Sequence, residues 1–215
     1  MYYDNLGLIC SNTSEPPAGL ADSCAETSRE ERLMQILGIT PTTERLLNFI
    51  TPLGYVRHPS PTLPIDWREN DFSSDQALPL YLALRYARMS EADVMKAKIK
   101  ANHWRTGNGD LVSPYFFAAL IDSVLLMSIV CLIGALVFTF PFRWSDSKKA
   151  FESSANATGD YLNYFHCLPF TYSWVRRTID AQRLMEKIRT YYLFEADSDA
   201  LLRLYAQAIA KVCNG

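Results

Sequence analysis

"SVLLMSIVCLIGALVFTF", residues 123–140, runs for eighteen positions without a charge. That length and composition meet the requirement for crossing a bilayer. A helix surrounded by others of its own chain can be equally apolar without meeting lipid. Asp122 stands at the head of the run, so one helix continuing from Pro114 would carry a charge well inside it. Flanking cations are balanced, with Lys100 and Arg105 before the run and Arg143, Lys148 and Lys149 after it, and they give no orientation. The flanks "RTGNGDLVSP" and "PFRWSDSKKAF" match polar segments found elsewhere in the chain. The expectation is therefore a buried central helix, with a single-pass membrane protein spanning at 123–140 as the alternative.

The rest of the composition fits a globular chain. Of 215 residues, 49% are hydrophobic and 20% charged, enough for one sizeable core. A net charge of -2 with scattered basic residues argues against nucleic acid as a partner. Five cysteines (Cys10, Cys24, Cys131, Cys167, Cys213) are widely spaced, with no Cys-x-x-Cys pair. They match neither a disulfide framework nor a zinc motif, and a reducing compartment, the cytoplasm, is expected, with a membrane location as the alternative. "MYYDNLGLIC" has neither the basic start nor the apolar centre of a signal peptide. The sequons at Asn12 and Asn156 are read as chance. No cofactor or metal is expected.

The prevailing pattern is helical. "SCAETSREERLMQILG" reads as a capping box, Ser23 with Glu26, and a stop at Gly38. "TPTTERLLNFI" offers Thr40 as cap and Pro41 in the first turn. Ser90 can cap "EADVMKAKIKAN". Leu184, Ile188 and Tyr191 form one stripe at helical spacing, and Leu202, Tyr205, Ile209 and Val212 form another. No strand-length run alternates polar and apolar residues between turn signals. Residues 51–72 read as a long Pro-rich loop. The fold class is all-α, a single helical domain over 1–215.

Acidic and small polar heads open successive apolar stretches: "ADSCAE", "DFSSDQ", "NGDLVSP" and "TGDYLN". Spacing of this order is what stacked helical hairpins give, and it would collect the heads at one end. The densest polar word is "DWRENDFSSDQ", Asp66 to Gln76. Ser73 and Gln76 read as a second capping box, and Asp75 is favoured near a helix N-terminus. Pro79 breaks the same helix's rule against interior proline, a mark of functional sites. In the functional reading Asp75 and Asp71 are acid or base candidates, with Trp67 as a stacking platform. A carboxylate facing Asp75 from the Asp22–Glu26 pair would supply the two acids that glycoside hydrolysis needs.

"HWRTGNGD" lacks the lysine pattern of a phosphate loop and reads as a turn, leaving Asn108 and Asp110 as cleft candidates. Asp160, Asn163 and His166 share one helix face. Metal ligation by Asp160 and His166 is weighed there against an interior hydrogen-bond network, which is preferred. The histidines at 58, 103 and 166 have no H-E-x-x-H spacing, and no G-x-S-x-G elbow is present.

Taken together, "DSCAETSREE", "YVRHPSP…W", "DFSSDQALPLYLA", "TGNGDLVSP" and "RWSD…GDYLN" resemble the inner-helix heads of (α/α)-toroid proteins. They resemble uncharacterised phage and bacterial proteins with an S-x-D-Q helix start, and more distantly the six-hairpin glycosidase-like folds. The resemblance implies stacked hairpins in an incomplete toroid or open array. It also implies acid–base work by Asp75, with Asp22 or Asp110 as partner, in a hydrolase or lyase. A polyhydroxylated or glycan ligand would then touch Trp67, Arg68, Asp71, Gln76, Asn108, Trp144, Asp160 and Asn163. The competing reading is a phage-type structural or interaction protein without catalysis.

Overall fold

The computed structural model describes residues 1–10, 20–40, 42–52, 54–61, 72–135, 162–192 and 199–215. Trp67, Arg68, Asp71, Trp144 and Asp160 lie outside these residues, as does half of the Pro-rich loop. Among the described residues the chain is all-α apart from one two-stranded sheet. Where the sequence reading has one domain, the chain divides into two compact units, one from Met1–Ser113 and the other from Pro114–Phe194 with Asp199–Gly215.

The first unit opens with a short hairpin the sequence did not announce, β1 (Tyr2–Tyr3) antiparallel to β2 (Ile9–Cys10). Helix α1 (Ser23–Leu37) follows, then a 3₁₀ helix (Thr43–Phe49), α2 (Ser74–Tyr86) and α3 (Ser90–Ala101). Helix α1 packs against β2, the 3₁₀ helix and α2, so it is the axis of the unit. It ends as expected at Gly38, whose left-handed φ of 77° lets Ile39 N–H reach the Met34 carbonyl. Its start differs from the capping-box reading. Asp22 is the N-cap, Ser23 is already inside and buried, and Glu26 is held by Arg29. The other caps shift too. Thr42 rather than Thr40 precedes the second element, which is 3₁₀, and Met89 rather than Ser90 precedes α3.

Helix α1 buries Glu26, Arg29, Glu30, Glu31 and Arg32. Charges of this kind survive burial only with partners. Arg29 Nη1 donates to Glu26 Oε1 at 2.5 Å. Arg45, from the 3₁₀ helix, donates to Glu31 Oε1 and Glu30 Oε2 at 2.5 Å each, and to the Gly7 carbonyl at 2.9 Å. Glu30 also accepts from the Tyr3 hydroxyl, which ties β1 to the same cluster. Burial pushes the Glu31 carboxyl up despite Arg45. Burial would lower Arg45, but Glu30 and Glu31 outweigh it and hold the guanidinium above its usual value. Arg32 lies 4.6 Å from the Tyr86 ring centre, a cation–π contact to α2.

The second unit holds α4 (Pro114–Leu120), α5 (Val124–Gly134), a helical stretch at 162–167, and a 3₁₀ turn at Leu168–Phe170. The short α6 (Ser173–Arg176), α7 (Ala181–Tyr191) and α8 (Asp199–Asn214) complete it. Here the sequence stripes hold in part: Tyr191 and Leu202 are only half-buried, and their neighbours Tyr192 and Leu201 are buried instead. Leu184 and Ile188 are fully buried on α7, and Tyr205, Ile209 and Val212 are buried on α8. Each such aliphatic contributes about 1.5–3 kcal/mol through removal from water.

The apolar run is where expectation and structure part. The chain does not continue as one helix through Asp122, which takes a left-handed φ of 59°, and Ser123 caps α5 by accepting from Leu126 N–H at 3.2 Å. Helix α5 is not sheathed all round. Met127, Ser128, Cys131 and Gly134 are buried, whereas Leu125, Ile129 and Ile133 are exposed at 62%, 46% and 55%. These three stand at i, i+4 and i+8, so one apolar face of the helix is bare. Residues 136–140 lie outside the described residues. No helix of the described residues is long and apolar enough to cross a membrane.

Candidate ligand-binding cleft

A cleft of about 250 Å³ opens in the first unit between α2, α3 and the loops around Tyr55 and Thr106. Tyr55 is set by the turn Thr51–Gly54, closed by Thr51 N–H to Gly54 O at 2.8 Å, and by its bridge to Ile50. Its ring stacks on Phe72, with centroids 5.4 Å apart and planes at 28°. Phe72 in turn is pinned by the 105–111 turn, whose Asn108 N–H donates to the Phe72 carbonyl at 3.4 Å. Gly107 makes that approach possible: a Cβ there would come 3.2 Å from Phe72 Cβ.

Two cations face this aromatic floor. Lys98, one turn before the end of α3, carries its Nζ 5.3 Å from the Tyr55 ring centre. Arg105 is also among the lining residues, and its Nη1 donates to the Gly109 carbonyl at 2.6 Å. Asn102 and Thr106 also line it, with the Thr106 hydroxyl donating to Asn108 Oδ1 at 2.7 Å, and Met95, Ile99 and Ala77 are apolar lining residues. Burial pushes the Tyr55 phenol up to about 12, so it stays a neutral donor at physiological pH. Between Asn102 and Arg105 the backbone is strained: His103 and Trp104 both take left-handed φ, 52° and 61°. Such residues cost of order 1 kcal/mol each and persist only where the surroundings hold them. Here the Trp104 N–H and C=O bond to Ile99 and Val112. No protein-family model, curated protein or solved structure matches this chain. The site's chemistry therefore rests on its own geometry.

The sequence-derived acids lie close by but not in the cleft wall. The heads of α1 and α2 do meet, because the buried Gln76 side chain donates to the Ala21 carbonyl at 2.8 Å instead of closing a capping box. Ser113 N–H donates to Ser74 Oγ at 3.4 Å, bringing the end of the Asp110 turn to the same place. Each carboxylate has local work there. Asp75 accepts from the Ser73 hydroxyl, Asp22 is exposed with Arg57 at 3.9 Å, and Asp110 accepts from Asn108 at 2.5 Å. Among the described residues lining the cleft there is no carboxylate. Asn163 and His166 belong to the second unit. Both are buried, and His166 Nε2 meets the Tyr205 hydroxyl at 3.0 Å, the interior hydrogen bonding expected of it.

Sequence reasoning did not single out Tyr55, Phe72, Lys98 or Arg105. Tyr55 and Phe72 were visible only as the ends of the Pro-rich loop.

Proposed function

We propose that the first unit binds a small polyhydroxylated ligand bearing an anionic group, seated in the Tyr55–Phe72 cleft. The observation that carries this is the placing of two cations, Lys98 and Arg105, around a stacked aromatic pair with no lining carboxylate among the described residues. Rings of a sugar stack on aromatic faces, amide and hydroxyl groups pair with hydroxyls, and a carboxylate or phosphate would meet the cations. The volume lies below the range of roughly 300–1,000 Å³ usual for drug-sized ligands, which favours something no larger than a single sugar acid or sugar phosphate. Hydrolysis by Asp75 with Asp22 or Asp110 draws support only from the meeting of the helix heads that carry them. The local hydrogen bonds each of them makes place binding ahead of catalysis.

Calorimetric titration with paired neutral and acidic monosaccharides tests the reading. Acidic ligands should bind, neutral ones at least tenfold more weakly, and added salt should reduce the difference. Lys98→Ala should weaken acidic-ligand binding about fivefold while leaving the melting temperature within a degree or two, since one rim charge is worth about 1 kcal/mol. Equal binding of neutral and acidic sugars, or none of either, would refute it.

A second reading is favoured by the bare Leu125–Ile129–Ile133 face: the second unit attaches to a membrane through residues 123–140. Flotation of the chain with neutral lipid vesicles, lost in Leu125→Glu/Ile129→Glu, would support it. Full recovery of the unaltered chain in the lipid-free fraction would dismiss it.

A further inference from the structure

We propose that Asp4, Cys10 and His58 form a binding site for a zinc-type divalent cation, which staples the N-terminal hairpin to the core of the first unit. The three residues come from separate places in the chain: the turn after β1, the end of β2, and the loop following Val56. One donor atom from each lies within 4.8 Å of the other two. Adjacent ligand atoms of a tetrahedral zinc stand about 3.3–3.7 Å apart, so closing on an ion needs movement of roughly 1 Å. The sulfur, nitrogen and oxygen set suits zinc or cobalt, and its lone thiolate and imidazole disfavour magnesium and calcium.

The ligands are held before any ion arrives. Asp4 is aimed by its own turn: Oδ1 accepts from the amides of Leu6 and Leu8 at 2.9 and 2.8 Å, and Oδ2 faces His58 Nε2 at 3.0 Å. Gly7, with φ 71°, closes that turn and donates to the Asp4 carbonyl. Cys10 and His58 are 1% and 4% exposed, while Asp4 reaches the surface and gives an ion its way in. A plain ion pair between Asp4 and His58 would also tie the hairpin down. It gives no reason for a third, thiol donor at the same point, and the cation reading does.

The proton inventory yields a specific signature. Ser60 N–H donates to His58 Nδ1 at 3.0 Å, so the ring carries its proton on Nε2. A cation on Nε2 sends that proton to Nδ1, takes the Cys10 thiolate after its proton leaves to solvent, and turns the Ser60 amide away. The Ser60 amide bond, the long Cys10 Sγ–H contact to the Leu8 carbonyl at 3.7 Å and the His58–Asp4 hydrogen bond that the ion replaces are together small beside the binding free energy of a zinc–thiolate site.

The test is a titration of the full chain, stripped with chelator, with cobalt and then zinc. One equivalent of cobalt should bring up the thiolate-to-cobalt charge-transfer band, and zinc should quench it. The near-isosteric Cys10→Ser should abolish the band, and Asp4→Asn should weaken cobalt binding at least tenfold. Hydrogen exchange at the Ser60 amide should quicken when zinc binds. Absence of the band in the unaltered chain, a band kept by Cys10→Ser, or unchanged Ser60 exchange on saturation would each overturn the proposal. Circular dichroism of Cys10→Ser separates a lost ligand from a lost fold.

Discussion

Arg45→Met should destabilise the first unit by about 3–5 kcal/mol, the usual cost of removing one partner from a buried charge cluster. Arg45 pairs with both Glu30 and Glu31, whose side chains are 10% and 0% exposed, and it also holds the Gly7 carbonyl. Methionine fills the space without supplying a donor, so two carboxylates are left facing each other out of water. The direction of the Glu31 shift agrees: burial already holds its carboxyl above the ordinary range with Arg45 present. Adding Glu30→Gln and Glu31→Met to Arg45→Met should restore most of the loss, because the stranded charges go with their partner. Chemical denaturation followed by circular dichroism measures both. A loss below about 1 kcal/mol for Arg45→Met would place it among exposed pairs and contradict the buried cluster.

In the second unit the largest effect is expected at Gly134. A Cβ on this residue would run into the hydroxyl of buried Tyr115 and come 3.1 Å from Tyr164 Cδ2. The two tyrosines pack edge to face with centroids 5.8 Å apart, so neither ring is free to slide. Gly134→Val should therefore cost about 3 kcal/mol, the upper end of overpacking penalties, although glycine is a poor helix former. Gly134→Ala should cost less, and Tyr115→Phe combined with it should recover stability by removing the obstructing oxygen. A Gly134→Ala variant as stable as the parent, with Tyr115 intact, would mean that α5 does not seat against that ring.

How much of this was readable in the sequence differs between the two units. In α7 and α8 the stripe Leu184–Ile188 and the stripe Tyr205–Ile209–Val212 come straight from periodicity, because each helix has one wet and one dry face. Helix α1 defeats the same logic. "SREER" has the look of a solvated face, and its burial depends on Arg45, fourteen and fifteen residues away from the carboxylates it neutralises. Pattern within a window cannot see a partner outside it. The apolar run misled in the opposite direction: its composition argued for burial on all sides, yet Leu125, Ile129 and Ile133 stay exposed.

For the site, the sequence drew attention to the polar helix heads, whereas the proposed cleft is lined by other residues. The polar heads at Ala21, Ser74 and Ser113 do meet. The carboxylates singled out at those heads are engaged in their own turns, while the cleft is walled by Tyr55, Phe72, Lys98 and Arg105. Neither a lysine on an amphipathic helix nor a tyrosine after a glycine carries a spacing rule, so only three-dimensional assembly reveals that they share a wall. Cys10 and His58 stand forty-eight residues apart, beyond the compact spacings by which ligand sets are read from sequence.

All five cysteines are free and buried, two in the first unit and three in the second. Burial raises the thiols of Cys131 and Cys213 to about 12 and about 11, so within the folded units they are poor nucleophiles. Alkylating reagent can reach them only when a unit opens. Brief pulses of such a reagent at rising denaturant, read by peptide mass at Cys24 and at Cys131, would time the opening of each unit separately. The chain thus carries its own pair of unfolding reporters, with no dye or tag to be added.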